Sequence, residues 1–113
     1  MNQLDKIIYD ILHESFYIDY YDASEDEINA IESILIEKTA KRPHDNMGFA
    51  EHMIHFRIQG YGFLGFNGRN FCSWDHANEK KKNRSITAEE FIGLSGIHVG
   101  NDIVSKAEFD SVF

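Results

Sequence analysis

The stretch from Arg57 to Trp74 constrains the fold most strongly, because it alternates aromatic residues with glycines in two short runs. The dipeptide Asn67-Gly68 separates the runs, and it tolerates the positive φ angles of a type I′ turn better than most pairs. The sequence therefore predicts a β-hairpin over residues 61–74 with a two-residue turn. The predicted cross-strand pairs are Phe66 with Arg69, Leu64 with Phe71, Phe63 with Cys72, and Tyr61 with Trp74. Aromatic rings would then stack on both faces, so that one face meets a partner or both are buried.

Two amphipathic helices are predicted before the hairpin. Residues 3–16 carry apolar side chains at helical spacing and charged side chains on the remaining face. Ser24 and Glu27 form a capping-box pattern that starts the second helix. Pro43 disfavours helical geometry in the residue before it, so this helix is expected to end near Ala40.

The segments between these helices and the hairpin are predicted from their local patterns. Residues 16–21 (FYIDYY) are too aromatic for a solvated linker and form either a short strand or a packed turn. Apolar and polar residues alternate over residues 52–59, which predicts a strand half buried against the helices. Residues 75–84 are polar and are predicted to form an exposed loop.

Short helices are predicted at the carboxyl end by two more capping-box patterns, Thr87 with Glu90 and Ser105 with Glu108. The predicted fold is therefore α+β, with two amino-terminal helices packed on a small antiparallel sheet of about three strands. A chain of 113 residues can bury one core but is too short for two, so we expect a single domain.

The negative charge is concentrated in the first third of the chain. Residues 1–38 carry ten acidic residues against Lys6 and Lys38, whereas residues 39–113 carry nine residues of each sign. The whole formal net charge of −8 thus lies in residues 1–38. An acidic region of this kind repels nucleic acid and accelerates association with a basic protein surface, although it is also typical of a solvated helix face.

The sequence also indicates a compartment. No apolar run approaches the roughly 18 residues that span a bilayer, and the amino terminus lacks the basic and apolar segments of a signal peptide. Cys72 is the only cysteine in the sequence and cannot form an internal disulfide, which fits a reducing compartment. We therefore expect a cytoplasmic protein in which Cys72 is a small buried apolar side chain.

Residues 60–65 match the GxGxxG pattern of dinucleotide-binding loops, but their context does not fit that function. The fingerprint requires a helix after the loop and an acidic residue about twenty positions later. Here a turn and a second predicted strand follow, and Lys80, Lys81 and Lys82 stand near the position of the acid. These glycines are instead expected to relieve crowding between aromatic rings or to allow a bulge.

The histidines and Cys72 do not form a recognisable metal or catalytic pattern. His52 and His55 would point to opposite faces of an extended segment, and a second cysteine is absent from the sequence. Cys72 and His76 lack the sequence context of a nucleophile and its base. We accordingly expect no metal ion, no cofactor and no enzymatic activity.

The octapeptide QGYGFLGF at residues 59–66 resembles the first ribonucleoprotein signature of the RNA-recognition motif family. In that family alternate aromatic side chains of this strand stack under bases. The resemblance implies base stacking on Tyr61 and Phe63, with residues 16–21 as the partner strand. Gln59 stands where the family has a basic residue, and an Asn-Gly hairpin stands where the family begins a helix.

The whole chain also resembles, in general style, the early accessory proteins of large tailed bacteriophages. The shared features are a small acidic chain, amphipathic helices, an aromatic hairpin with a single Trp, and a closing ITAEEF helix at residues 86–91. The resemblance implies a protein that binds and blocks one host protein, including restriction and CRISPR effectors, sometimes by presenting carboxylates in place of phosphates.

The function predicted from the sequence is that of a non-enzymatic inhibitor or adaptor. Its acidic first third and its aromatic hairpin would engage a host protein that has a basic surface and handles nucleic acid. The predicted contact residues are Asp19, Asp22, Glu25, Asp26, Tyr61, Phe63 and Trp74. The alternative is an RNA-binding domain that uses Tyr61, Phe63 and the basic cluster at residues 80–84.

Overall fold

The computed structural model describes residues 2–43 and 47–96. Within these residues the elements follow in the order α1 (Gln3–Leu12), β1 (Tyr17–Asp19), α2 (Glu25–Lys38), α3 (Phe49–Ile58), β2 (Tyr61–Phe66), β3 (Phe71–Asp75), α4 (Glu79–Lys82), β4 (Ser85–Thr87) and α5 (Ala88–Ser95). The strands form one mixed sheet in the order β3-β2-β1-β4. The α+β class is confirmed, and the described sheet has four strands rather than about three.

Local capping interactions set the starts of the helices. In α2, Ser24 Oγ accepts a hydrogen bond from Glu27 N at 3.1 Å, and Glu27 Oε1 accepts one from Ser24 N at 2.8 Å. Thr87 and Glu90 make the same reciprocal pair at the start of α5. Both predicted capping boxes are therefore confirmed, while Ser105 and Glu108 lie outside the described residues.

The first helix is shorter than predicted. It ends at Leu12 rather than at residue 16, and Glu14 then adopts a φ of 62° in the left-handed region. A helix cannot continue through that conformation, so the chain turns into β1. The aromatic segment at residues 16–21 is thus resolved as a short strand and the turn that follows it.

The strand predicted over residues 52–59 is wrong, because these residues belong to α3. Apolar residues alternate with polar ones over residues 52–59, but the helical pattern starts earlier, at Phe49. The residues that α3 buries are Phe49, His52 and Met53, at helical spacing, whereas Ile58 is 84% exposed. His52, where the predicted strand would begin, is instead a fully buried residue of the helix.

The predicted hairpin is confirmed, but its turn and register are wrong. Asn67 Oδ1 accepts hydrogen bonds from the amides of Arg69 and Asn70, and Asn67 N donates to Asn70 O. Four residues therefore form the loop, since the Asn67 side chain replaces a backbone acceptor. The observed pairs are Phe66 with Phe71, Gly65 with Cys72, Leu64 with Ser73, Phe63 with Trp74, and Tyr61 with Asp75.

The two faces of the sheet are covered differently. On the first face, Ile18, Tyr20, Leu64, Phe66 and Phe71 join the core formed with the helices. Helices α1 and α3 contact β2, α5 contacts β1 and β4, and α2 packs across α3 and α5. The second face carries Tyr17, Asp19, Phe63, Cys72 and Trp74, because side chains alternate along a strand.

The chain covers the second face by crossing it. Strands β3 and β4 lie at opposite edges of the sheet, so residues 76–84 must pass from one edge to the other. We call this segment the strap. It includes α4, which contacts β1. Most of residues 75–84 are exposed, as predicted, but the segment contains α4 and covers the second face of the sheet.

The structure also bears on the membrane question. No helix among residues 2–43 and 47–96 combines the length and the apolar character needed to cross a bilayer.

Gly65→Ala should destabilise the fold, because a Cβ atom there would lie 2.4 Å from Tyr17 Cδ1 and 2.7 Å from Tyr17 Cε1. Displacing a buried ring should cost about 1–3 kcal/mol in the free energy of unfolding. Gly93→Ala is the matched control, because its Cβ would meet nothing within 4 Å and α5 would gain about 0.5–1 kcal/mol. Urea unfolding followed by circular dichroism measures both changes. Equal stabilities of the two variants would contradict the close packing assigned to Gly65.

Candidate functional site

An acidic cleft of about 240 Å³ opens beside the β1–β4 pair. Its lining residues are Asp19, Asp22, Ala23, Glu27, Thr87, Ala88 and Glu89. The parallel register places Asp19 opposite Thr87, which brings the β1–α2 connection next to the start of α5. Three carboxylates from residues 19–27 and the carboxylate of Glu89 therefore line one cleft, and none of the lining residues is basic.

Helix capping explains only part of this acidity. Glu27 and Glu89 lie in the first turns of α2 and α5, where carboxylates stabilise the helix dipole, and Glu27 also completes a capping box. Asp19 lies on a strand and Asp22 lies two residues before the N-cap of α2. Asp22 is exposed and makes no side-chain hydrogen bond or ion pair within the described part of the chain. Its carboxylate is available to a cationic ligand.

Arg57 fixes the connection that carries Asp22. Its Nη1 atom donates to the carbonyl oxygens of Tyr20 and Tyr21, both at 3.3 Å, and to that of Ala23. One guanidinium group thus donates to three carbonyl oxygens of the β1–α2 connection. The strand predicted over residues 52–59 would place Arg57 on its polar face, and no pattern in the sequence indicates these contacts.

Asp19 is held by a histidine of the strap. His76 Nε2 lies 3.3 Å from Asp19 Oδ1 and 3.4 Å from Oδ2. The His76 ring stacks on Tyr21 at 4.1 Å between centroids and on Phe63 at 5.2 Å. A close approach of the backbone allows this packing, since a Cβ on Gly62 would lie 2.8 Å from His76 Cδ2. The strap therefore orients one carboxylate of the acidic cleft.

The structure divides the predicted contact residues into three groups. Asp19 and Asp22 line the acidic cleft, whereas Glu25 and Asp26 are exposed on the first turn of α2 and do not line it. Phe63 is fully buried beneath His76, and Tyr61 packs on Phe56 with centroids 5.4 Å apart. Trp74 is half-buried, and Lys81 lies over its ring. The hairpin aromatics are thus engaged in internal contacts, and their rings do not form one open face.

A buried hydrogen-bond network links α3 and β3 to Tyr20, the residue that follows β1. The Tyr20 hydroxyl donates to Ser73 Oγ at 2.8 Å, and His52 Nε2 lies 2.9 Å from the same oxygen. Ser73 Oγ thus accepts from Tyr20, and the direction of its bond with His52 Nε2 depends on the imidazole tautomer. Tyr20 and His52 are fully buried, and none of the three residues lines the acidic cleft. We interpret these hydrogen bonds as a structural network that joins α3, β3 and the residue after β1.

Cys72 is half-buried rather than fully buried. Burial raises the pKa of its thiol, and the nearby Lys81 ammonium group acts in the opposite direction. A raised pKa disfavours the thiolate, the form in which cysteine acts as a nucleophile or metal ligand. In the part of the chain that the structure describes, no three His, Cys, Asp or Glu side chains are grouped to hold a metal ion.

Comparison of the chain with protein-family models, curated proteins and solved structures finds no match. The resemblances to bacteriophage accessory proteins and to the RNA-recognition motif therefore stay predictions. After the Asn67–Asn70 loop the chain continues directly into β3, at the position where the RNA-recognition motif begins a helix.

Stability should fall between about pH 10 and pH 12 because of Tyr20. Burial, only partly offset by the Ser73 hydrogen bond and by Arg57, raises the pKa of Tyr20 from 10.0 to about 12. The phenol therefore stays neutral in the folded state over a range in which it ionises in the unfolded chain. Its stabilising contribution is complete below pH 10 and is lost as the pH rises toward 12, by up to roughly 3 kcal/mol.

Tyr20→Phe provides the control for this pH effect. At pH 7 the variant should be less stable by about 0.5–1.5 kcal/mol, because Ser73 loses its donor. Urea unfolding of both proteins from pH 7 to pH 12 should show this difference shrinking and then reversing above pH 10. A difference that stays constant with pH would contradict the assignment.

Proposed function

We propose that the chain is a non-enzymatic binding protein that captures a basic segment of a partner protein in the acidic cleft. One observation carries the proposal: Asp19, Asp22, Glu27 and Glu89 converge on a cleft that has no basic lining residue. Asp22 and Glu89 make no side-chain hydrogen bond or ion pair in the described structure, so a cationic group that enters the cleft can form charge-assisted hydrogen bonds with them.

The size of the cleft favours a side chain as the ligand. Its volume of about 240 Å³ is smaller than that of typical small-molecule pockets, which span about 300–1,000 Å³. A single arginine or lysine side chain is a suitable occupant. Arginine fits best, because its planar guanidinium group can pair with two carboxylates and keeps its charge at every physiological pH.

Basic surfaces of this kind are most common on proteins that handle nucleic acid. Such proteins bind phosphate groups with arginine and lysine, and carboxylates can occupy the same cationic positions. The net charge of −8 adds long-range steering toward such a surface. In the full proposal the chain blocks a nucleic-acid-handling defence protein of a host, in the cytoplasm, as the resemblance to bacteriophage accessory proteins suggests.

The contact surface proposed from the structure differs from the one that the sequence suggested. The hairpin aromatics Phe63 and Trp74 serve mainly to pack the second face. Tyr21, which is 39% exposed and adjacent to Asp22, is the aromatic residue best placed to contact the partner. Exposed tyrosines beside charged groups often provide much of the binding energy in protein interfaces.

Reversing charge in the cleft should abolish capture of a basic ligand. The variant combines Asp22→Lys with Glu89→Lys, because both residues are exposed and neither makes a side-chain hydrogen bond in the described structure. We expect at least a tenfold loss of affinity for a fluorescein-labelled peptide of eight arginines, measured by fluorescence anisotropy. Cation and carboxylate pairs typically contribute 1.5–3 kcal/mol each when hydrogen-bonded.

The matched control reverses two exposed carboxylates that lie outside the cleft, Glu37 and Glu51. It has the same net charge as the cleft variant, so general electrostatic attraction changes equally in both. Equal affinities of the two variants would refute the cleft as the binding site. A parallel titration with mixed single-stranded RNA at low salt tests the alternative, and preferential binding of RNA would overturn the proposal.

Arg57→Gln distinguishes the role of Arg57 in positioning Asp22 from the effect of net charge on peptide binding. The substitution makes the protein more acidic, so long-range attraction alone predicts tighter binding of the arginine peptide. Loss of the contacts to the Tyr20, Tyr21 and Ala23 carbonyls should instead loosen the connection that carries Asp22. We expect the affinity to fall by about threefold to tenfold, whereas tighter binding would contradict the positioning role of Arg57.

A further inference from the structure

A second cation-binding feature lies on the other side of Asp19, under the strap. The rings of Tyr17 and Trp74 meet edge to face, with centroids 5.4 Å apart and planes inclined at 73°. The two rings form the walls of a notch. We call this pair of rings the aromatic notch.

The aromatic notch already holds a cation of the chain itself. Lys81 Nζ lies 5.0 Å from the Tyr17 centroid and 4.9 Å from the Trp74 centroid. Both distances are within the range of about 6 Å in which an ammonium group is attracted to a ring face. Within residues 2–43 and 47–96, Lys81 makes no ion pair with a carboxylate. In the described structure, the Lys81 ammonium group therefore interacts mainly with the two ring faces, through cation–π contacts.

The floor of the aromatic notch is formed by backbone. A Cβ on Gly65 would lie 2.4 Å from Tyr17 and 3.1 Å from Trp74 Cζ3, so the absence of a side chain lets both rings approach the strand. Tyr17 is only 8% exposed, which fixes its ring in position. The notch is thus built from rigid parts of the sheet.

Helix α4, which carries Lys81, buries much less surface than the strands that carry Tyr17 and Trp74. The short helix α4 has four residues and buries none of them. Segments with little buried apolar surface open at low free-energy cost. The neighbouring strand β4 is anchored by its parallel pairing with β1, and Tyr17 N donates to Arg84 O, at the end of the strap, at 2.9 Å. The lysine can therefore leave the notch while the sheet stays intact.

From these observations we propose that the aromatic notch is a binding site for alkylammonium groups, with methylated lysine as the preferred class, and that Lys81 occupies it as an internal plug. A methylated ammonium group suits the notch because it needs few hydrogen-bond acceptors and is attracted to ring faces. In the wild-type chain Lys81 occupies the notch, so a ligand can bind there only by displacing the Lys81 ammonium group. This inference is independent of the acidic cleft.

The experiment removes the plug and supplies a cation in its place. Lys81→Ala is titrated with tetramethylammonium chloride at constant ionic strength, and the emission of Trp74 is recorded, since it is the only tryptophan in the sequence. We expect a saturable change in emission, with an apparent affinity at least threefold higher than in the wild-type chain. Lys80→Ala is the matched control, because Lys80 is exposed on the same helix and contacts neither ring.

Two further measurements distinguish cation recognition from filling of an apolar space. tert-Butanol has nearly the same shape as tetramethylammonium but no charge, and it should give no saturable response. The proton signal of the tetramethylammonium methyl groups should shift upfield through ring currents in Lys81→Ala. In the wild-type chain, which is used if Lys81→Ala does not fold, the same shift should appear at a higher concentration of the ion, because the ion must displace Lys81. Absence of that shift, or equal responses to the charged and neutral compounds, would overturn the proposal.

The source of the ammonium group is tested in the same format. A short peptide that contains trimethyllysine is compared with the unmethylated peptide and with free tetramethylammonium. Tighter binding of the methylated peptide supports a modified protein as the ligand. Equal binding of the peptide and the free ion supports a small quaternary amine, and tighter binding of the unmethylated peptide would refute the preference for methylated groups.

Discussion

The path of the chain between β3 and β4 determines how the second face of the sheet is covered. Because the two strands lie at opposite edges, the connecting strap must cross the face that the helices leave open. The strap is polar, so it cannot cover aromatic rings with aliphatic side chains. It uses a stacked imidazole at His76 and an ammonium group at Lys81 instead. These groups pack on ring faces while their polar atoms contact Asp19 or solvent, and they replace a second layer of helices.

The parts of the fold that depend on local interactions could be predicted from the sequence. The capping boxes at Ser24 and Thr87 were recognised because their donors and acceptors lie three residues apart. Helix α3 was missed because burial of His52 depends on a hydrogen bond to Ser73, which is remote in sequence. Strand β4 was missed for the same kind of reason, since three residues form a strand there only by pairing with β1.

The candidate site follows the same division. Asp19 and Asp22 could be selected from the concentration of acidic residues in the first third of the chain. Glu89 could not, because it reaches the cleft only through the pairing of Asp19 with Thr87. Arg57 and Lys81 were also beyond sequence reasoning, since their partners are backbone carbonyls and ring faces rather than carboxylates. Neither partner leaves a spacing or charge pattern in the sequence.

The parallel pairing of β1 with β4 also bears on the order of folding. The two strands are separated by most of the chain, and contacts between remote segments close late because loop entropy must be overcome first. The cleft lies at this junction, so its two walls meet only after the hairpin and the strap are in place. A chain emerging from the ribosome would carry Asp19 and Asp22 long before Thr87 and Glu89 are made. All the residues that line the acidic cleft are therefore present only once synthesis has reached α5.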